Sequence, residues 1–167
     1  MNLFLILCIK LSKIMEIKLK KTAILLAIFL LPIFGCKPVD DKLSWNDNLD
    51  NALKIAAKEN KTVLVNFTGS DWCIWCKKLN NEVFSKGDFA EYAAKKLVLV
   101  KIDFPRQKEL PLETQNYNRS LAEKYGIAGF PTIALLKPDG SVIGFTGYQE
   151  GGAAAYVQHL KGIIAQG

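Results

Sequence analysis

The feature that most constrains this chain is an apolar run that leads into two closely spaced cysteines. Residues 63–67 carry Val, Leu, Val, Asn and Phe without regular alternation of polar and apolar positions. Such a run is typical of a central strand that is covered on both faces. It is followed by Trp72-Cys73-Ile74-Trp75-Cys76 and by a helical pattern over about residues 73–84. Because the strand passes directly into a helix, Cys73 is expected at the helix N-terminus.

The elements around this motif predict one domain of the α/β class. Pro138-Asp139-Gly140 has the composition of a tight turn and predicts an antiparallel hairpin. Residues 104–112 contain Pro105 and Pro111 and are predicted to form a loop. The order of elements indicates a mixed central β-sheet flanked by helices, in three α/β/α layers. The other expected elements are helices over about residues 46–60, 88–95 and 113–125, a helix after Gly151-Gly152, and strands at 97–103, 132–136 and 142–146.

The spacing of Cys73 and Cys76 favours redox chemistry. Unsatisfied N–H groups and the helix dipole at a helix N-terminus stabilise an anion, and such a site lowers the pKa of a cysteine thiol. The thiolate is the nucleophile in disulfide exchange. Cys76 follows one turn later on the same face, where it can release the mixed disulfide that Cys73 forms. We therefore expect Cys73 to attack and Cys76 to resolve.

Two other roles for the cysteine pair have less support. A purely structural disulfide that closes so short a loop contributes only about 2 kcal/mol, against about 3 kcal/mol for a loop of about 15 residues. A structural zinc site needs four ligands, whereas the chain beyond Cys36 offers this pair and one histidine, His159. The position of His159 on the last helix predicts partial burial and a packing role. We expect no metal, and no cofactor beyond the cysteine pair.

Residues 1–35 have the pattern of a lipoprotein signal peptide. Lysines are frequent between residues 10 and 21, and the apolar run that follows is shorter than the ~20 residues that span a bilayer. Met15 precedes a compact set of lysines and is an alternative start. The junction Ile33-Phe34-Gly35-Cys36 is similar to a lipobox, which predicts lipidation of Cys36; ordinary cleavage and an uncleaved anchor are the alternatives. Residues 36–44 would then form a tether, and residues 45–167 the folded domain.

The distribution of charge gives little support to a nucleic-acid partner. The formal net charge is +6, but the first 35 residues hold five lysines and only one acidic residue. From Cys36 onward, 17 basic residues stand against 15 acidic ones, and no long basic run occurs. We therefore expect no nucleic-acid partner.

Taken together, these motifs resemble the thioredoxin superfamily. The central strand, Trp72 before the cysteine pair, Lys77 after it, and Gly129-Phe130-Pro131-Thr132 before the hairpin match that family over most of residues 45–164. The longer run of residues 67–73, with Asp103-Phe104-Pro105 after the next strand, is similar to a branch of exported bacterial thioredoxin-like proteins. That branch also resembles the C-terminal domain of the transmembrane thiol-disulfide interchange reductase.

The resemblance implies the thioredoxin fold and further site residues. It implies that Pro131 is a cis-proline that shapes the substrate groove and leaves the backbone of Phe130 free to pair with a bound polypeptide. Trp72 is expected to pack beside the sulfurs, and Tyr125 and Phe130 to lie in the core or at the groove rim. Trp75 is expected to be either a plain exposed aromatic residue or a lip that contacts partners.

Two positions depart from the family pattern. Many thioredoxins have a buried Asp that assists proton transfer to the resolving cysteine, and this chain has Asn66 in its place; an amide cannot act as a general base. A water, Asp71 or a lysine would then move the proton. The dipeptide Ile74-Trp75 is neither Gly-Pro nor the Pro-His of strong oxidants, and its lack of a histidine near the thiolate favours a reductant.

These expectations combine into one functional hypothesis. The chain is predicted to be a thiol-disulfide oxidoreductase of the bacterial periplasm or cell envelope that reduces disulfides in envelope proteins. A lipid on Cys36 would hold it at a membrane, and a membrane thiol-disulfide reductase would recharge it. The alternatives are an oxidase, an isomerase, or a non-catalytic module for metal or haem handling. Sulfurs that were buried, far apart or bound to an ion would contradict the predicted activity.

Overall fold

The structure is a computed structural model that describes residues 43–167. The predicted signal peptide, Cys36 and all but the last two residues of the predicted tether lie outside the described residues. Within residues 43–167, no helix combines the length and the apolar character needed to cross a bilayer.

A five-stranded mixed sheet forms the centre of the domain. Its strands are β1 Trp45–Asn46, β2 Thr62–Thr68, β3 Leu97–Asp103, β4 Thr132–Leu136 and β5 Val142–Thr146. The strand order is β1-β3-β2-β4-β5. β1, β3 and β2 run parallel, β4 is antiparallel to β2, and β5 is antiparallel to β4. The predicted mixed sheet and its terminal hairpin are confirmed.

Helices cover both faces of the sheet. α1 Leu49–Glu59 and α4 Leu112–Lys124 pack on one face, and α2 Ile74–Leu79, α3 Gly87–Lys96 and α5 Gly152–Ile164 pack on the other. In β2, Leu64 enters the core beneath α3 and α5, whereas Val63 and Val65 enter the core beneath α1 and α4. Because both faces of β2 are buried, apolar side chains are favourable throughout the strand. The predicted three-layer α/β/α architecture is confirmed.

Three details differ from the prediction. The sequence pattern does not reveal β1, because two residues cannot show a period, yet the Asn46 side-chain amide donates to a carbonyl of β3 at 3.0 Å. α1 is capped by Asn48, whose Oδ1 accepts the N–H of Asn51 at 2.9 Å, so the helix begins at Leu49 and not at about residue 46 as predicted. The helix predicted over residues 73–84 begins as α2 and continues as a π-helical turn over Asn80–Phe84.

Candidate active site

A tight turn at the end of β2 places the cysteine pair at the start of α2. The carbonyl oxygen of Gly69 accepts the N–H groups of Trp72 at 3.3 Å and of Cys73 at 2.9 Å. Cys73 is the N-cap residue, in an extended backbone conformation, and α2 begins at Ile74. The structure thus has Cys73 at the helix end where N–H groups and the helix dipole favour an anion.

Cys73 and Cys76 are joined by a disulfide, with their Cα atoms 5.2 Å apart. The backbone N–H of Cys76 also points at Sγ of Cys73, with the nitrogen and the sulfur 3.2 Å apart. An N–H group directed at a sulfur stabilises negative charge on that sulfur. The contact that caps the helix therefore also favours a thiolate at Cys73 when the pair is reduced.

Both cysteines are largely buried. Cys73 is 6% exposed and Cys76 is 5% exposed, although Ile74 and Trp75 between them are 76% and 54% exposed. This low exposure of the two residues bears on the condition that buried sulfurs would contradict the predicted activity, whereas the disulfide excludes a large separation of the sulfurs. The reactivity of the Cys73 thiol toward an external reagent is therefore a decisive measurement.

Three aromatic side chains, Trp72, Phe104 and Phe130, pack together beside the turn that carries Cys73 and are called the aromatic wall. Trp72 Nε1 donates to the carbonyl oxygen of Phe104 at 2.8 Å, which fixes the plane of the indole ring. The Trp72 ring meets Phe130 edge to face at 6.0 Å between centroids, and Phe104 stacks on Phe130 at 5.0 Å. The guanidinium carbon of Arg106 lies 3.7 Å from the centroid of the Trp72 ring. Trp72 is thus held on several sides at once.

Pro131 enters the same edge of the sheet. The Phe130–Pro131 peptide bond is cis, as the resemblance implies. Thr132 at the start of β4 pairs with Phe67 near the carboxyl end of β2, so Pro131 lies at the edge from which the turn of Cys73 emerges. Phe130 is half-buried in the aromatic wall, whereas Tyr125 is buried in the core.

Trp75 belongs to a second aromatic group on the outer side of α2. Its ring lies 5.5 Å from the ring of Tyr148, between centroids. The ammonium group of Lys78 lies 5.4 Å from the Trp75 centroid and 4.9 Å from the Tyr148 centroid. The Tyr148 hydroxyl donates to Glu82 at 2.5 Å. Trp75 is therefore exposed but restrained by neighbours.

Asn66 is a buried polar residue that shares a cavity with Cys76. It is 8% exposed, and its Oδ1 has no hydrogen bond to any described residue. Asn66 and Cys76 line a cavity of about 310 Å³, which Lys77 and Lys101 also line. This cavity reaches Cys76, but the Lys77 ammonium donates to the carbonyl oxygen of Asp71 at 2.7 Å and the Lys101 ammonium pairs with Asp103 at 3.4 Å.

The Asp71 carboxylate binds backbone N–H groups of the loop after β3, and Asp71 does not line the cavity that contains Cys76. Its carboxylate accepts the backbone N–H of Arg106 with both oxygens at 3.1 Å and that of Gln107 at 2.7 Å. Desolvation alone would raise the pKa of Asp71, but the hydrogen bonds from Gln107 and Arg106 outweigh it and hold the pKa below its usual value. The Asp71 carboxylate therefore joins the turn before Cys73 to the loop after β3 by hydrogen bonds.

Residues 43–167 contain no group of three or more His, Cys, Asp or Glu side chains arranged to hold a metal ion. His159 is exposed on α5 and is hydrogen-bonded to Thr146 Oγ1 at 2.8 Å. Its predicted partial burial is therefore wrong, because it lies on the outer side of α5 beside β5. The structure brings His159 together with neither cysteine of the pair.

The structure adds three residues to the site that sequence reasoning missed. Arg106 and Phe104 come from the loop after β3, and Tyr148 comes from the segment after β5. The match of Asp103-Phe104-Pro105 to the family branch is a signal that could have indicated Phe104. No local pattern marks Arg106 or Tyr148, because each joins the site through a tertiary contact.

Comparison with known proteins agrees with this geometry. The model of the thioredoxin-like domain family matches residues 49–161. The disulfide bond reductase DsbH of Chlamydia pneumoniae is 32% identical over 122 residues, which is 73% of this chain and 73% of that protein.

Two solved structures share the fold. A DsbH oxidoreductase matches with a TM-score of 0.71 at 29% identity, covering 81% of this chain and 94% of that one. The oxidised C-terminal domain of DsbD from Neisseria meningitidis matches with a TM-score of 0.52 at 19% identity, covering 71% of this chain and 98% of that one. The second likeness concerns the fold alone. The chain belongs to the thioredoxin-like domain family and is a thiol-disulfide oxidoreductase.

Proposed function

We propose that this protein reduces disulfides in polypeptide substrates, with Cys73 as the attacking residue and Cys76 as the resolving residue. One observation carries the proposal: Sγ of Cys73 caps α2, receives the N–H of Cys76, and is bonded to the sulfur of Cys76. That arrangement lets the Cys73 sulfur carry negative charge, and it places Cys76 close enough to attack Sγ of Cys73 in the mixed disulfide and release the substrate sulfur. The residues proposed to contact the substrate are Trp72, Trp75, Phe130 and Pro131.

The reaction has two exchange steps. The Cys73 thiolate attacks one sulfur of the substrate disulfide, forms a mixed disulfide and releases the other substrate sulfur as a thiolate. Cys76 then loses its proton and attacks Sγ of Cys73, which frees the second substrate thiolate and restores the Cys73–Cys76 disulfide. The two electrons that reduce the substrate come from the protein dithiol. An external dithiol must reduce the pair before the next cycle.

The direction of exchange is proposed to be reduction. Ile74-Trp75 places no histidine between the cysteines, and the similar protein DsbH is named a disulfide bond reductase. Equilibration of the pair with glutathione or dithiothreitol measures its reduction potential. A reduction potential of about −270 mV, as in thioredoxin, supports a reductant, whereas a potential of about −120 mV indicates an oxidase.

We further propose that residues 1–35 direct export, that Cys36 is lipidated, and that residues 36–44 tether the domain at residues 45–167 to a membrane of the cell envelope. Envelope proteins with disulfides would be its substrates, and a membrane thiol-disulfide reductase would return it to the dithiol form. Each acyl methylene that enters a bilayer contributes about 0.8 kcal/mol to anchoring. Labelling with a radioactive fatty acid should mark the wild type and spare Cys36→Ser; equal labelling of both would contradict lipidation at this residue.

Reduction of insulin by dithiothreitol tests the catalytic assignment. The wild type should accelerate insulin precipitation, and Cys73→Ser should abolish the acceleration because it removes the nucleophile. Cys36→Ser removes a cysteine outside the pair and is the matched control, which should keep the wild-type rate. Cys76→Ser lacks the proposed resolving residue and should therefore accumulate a mixed disulfide between Cys73 and the substrate. Mass spectrometry of that adduct identifies the substrate protein. Insulin turnover that persists in Cys73→Ser contradicts the assignment.

Alkylation of the reduced protein tests whether Cys73 is both activated and accessible. At pH 6 its thiol should react with iodoacetamide much faster than a free cysteine, because the helix N-terminus favours the thiolate. A midpoint of alkylation near about 8.5, the value of an ordinary thiol, would show that the nucleophile is not activated. Failure to alkylate at any pH would show that burial closes the site.

A further inference from the structure

Arg106 stacks on the residue that directly precedes Cys73. Its guanidinium carbon lies 3.7 Å from the centroid of the Trp72 ring, a separation that indicates close stacking. Trp72 directly precedes Cys73, and its indole is fixed by the hydrogen bond from Nε1 to Phe104. Arg106 therefore lies on a rigid surface that is joined directly to the attacking residue.

The loop that carries Arg106 is itself fixed. Asp71 accepts the backbone N–H groups of Arg106 and Gln107, so the backbone at Arg106 is tied to the turn before Cys73. Asp103, three residues earlier, accepts hydrogen bonds from the N–H and hydroxyl of Ser70, at 3.0 and 2.6 Å. Two acidic side chains thus connect the segment that follows β3 to the turn after β2.

The donors of Arg106 are available to a ligand. The side chain is exposed, and among residues 43–167 the guanidinium forms neither a hydrogen bond nor an ion pair. A guanidinium has five N–H donors in a planar fork that matches the two oxygens of a carboxylate. Two nearby acids are already occupied, since Asp71 accepts backbone N–H groups and Asp103 accepts from Ser70 and pairs with Lys101 at 3.4 Å. Glu109 lines the same cavity as Arg106 but forms no ion pair with it.

We propose that Arg106 is a specificity-determining residue that binds a side-chain carboxylate, Asp or Glu, close to the reacting cysteine of a polypeptide substrate. The inference rests on the proposed disulfide exchange at Cys73. Stacking on Trp72 restricts the guanidinium before the substrate arrives, so little side-chain freedom is lost on binding. Because the carboxylate takes no part in sulfur chemistry, Arg106 contributes to substrate affinity and leaves the rate of the exchange step unchanged.

Blocked peptides with one internal disulfide test the proposal. Three versions carry Glu, Gln or Lys beside one cysteine, and acetylated and amidated termini leave the side chain as the only variable charge. The reduced full-length protein, freed of external dithiol, reacts with each peptide in single turnover. The dependence of the rate on peptide concentration gives a half-saturating concentration and a limiting rate. For the wild type, half-saturation should be about threefold to fivefold lower for the Glu peptide than for the Gln peptide.

Variants of the two arginines decide whether the effect belongs to Arg106. Arg106→Gln should remove the preference for the Glu peptide, and Arg106→Glu should invert it in favour of the Lys peptide; within each variant the three peptides should share one limiting rate, so that the change lies in half-saturation. Arg119 lines the same cavity as Arg106 and is exposed on α4. Arg119→Glu makes the same change in net charge and should keep the wild-type preference.

The outcomes separate this inference from the proposed function. Reduction of all three peptides by the wild type at equal half-saturation overturns the role of Arg106 and leaves the oxidoreductase function standing. An equal shift in Arg119→Glu also overturns it, because the effect would then arise from the general field of the surface. Failure to reduce any peptide overturns both. A preference that inverts only in Arg106→Glu supports the specific contact.

Discussion

Gly69 lies so close to the Trp72 ring that Gly69→Ala should displace this ring and lower the free energy of unfolding. A Cβ atom on Gly69 would lie 2.5 Å from Nε1 and 2.7 Å from Cζ2 of the Trp72 indole. Real Cβ atoms do not approach other heavy atoms so closely, and a two-ring side chain that is hydrogen-bonded to Phe104 cannot move without losing that bond. Gly69→Ala must therefore push Trp72 out of its position.

The cost follows from the contacts of the indole. The hydrogen bond to Phe104 contributes about 1 kcal/mol. The edge-to-face contact with Phe130 contributes about 0.5–1.5 kcal/mol, and stacking of Arg106 contributes about 0.5–1 kcal/mol. The displaced indole can settle nearby and keep part of these three contacts. We therefore expect the free energy of unfolding to fall by about 2 kcal/mol, which corresponds to a Tm lower by about 5–10 °C.

Thermal and urea unfolding of the oxidised protein measure this change. Gly162→Ala in α5 is the matched control, because no atom lies within 4 Å of its added Cβ. Replacing an unstrained helical glycine by alanine should stabilise the protein by about 0.5–1 kcal/mol. The same chemical change should thus have opposite signs at the two positions. A Gly69→Ala protein as stable as the wild type, with unchanged insulin reduction, would refute the role assigned to the Trp72 packing.

Three further predictions concern single side chains. Burial raises the pKa of Tyr156, so the stabilisation from its protonated phenol is complete below about pH 10 and is lost at higher pH. In urea titrations, the free energy of unfolding should therefore fall less for Tyr156→Phe than for the wild type between pH 9 and about pH 11. The pKa of Asp71 is lowered chiefly because backbone hydrogen bonds outweigh its desolvation, so its contribution is present above about pH 4 and is lost as the pH falls through the lower folded pKa. Asp71→Asn should therefore have a lower free energy of unfolding than the wild type at pH 7, and the difference should disappear below about pH 3. In a separate measurement, Asp139→Asn, which changes a carboxylate of the hairpin turn, should leave the kinetics of peptide reduction unchanged. Asn48→Ala removes the cap of α1 and should lower the free energy of unfolding by about 1 kcal/mol in urea at pH 7, a change that would be absent if the cap were not formed in solution.

Local patterns predict much of the fold because they act over short distances in the chain. The strand at residues 132–136 and the strand at 142–146 are found at their predicted bounds, and the turn between them uses Asp139, which accepts the N–H of Ser141 at 2.8 Å. β2 could be identified because a strand buried on both faces carries a continuous apolar run. β1 could not, since it has two residues and exists only through pairing with β3.

The candidate site divides in the same way. Cys73 and Cys76 are apparent in the sequence because their chemistry depends on a spacing of one helical turn. The family resemblance, and not the spacing, implied the cis bond before Pro131, which the structure contains. The low exposure of both cysteines depends on the surrounding core, as does the lack of a hydrogen-bond partner for Asn66 Oδ1 among residues 43–167, and no pattern in the chain specifies either.

By itself the sequence determined most of the segments that become strands and helices, with β1 as the exception, and that two cysteines meet a helix at its first turn. These properties depend on hydrophobic period, turn residues and caps, all of which involve residues a few positions apart. Only the tertiary structure decided that Arg106 lies on Trp72, that Asp71 holds the loop after β3, and that Tyr148 restrains Trp75. Such contacts join residues more than 30 positions apart, and they form only after the sheet has brought the ends of its strands to a common edge.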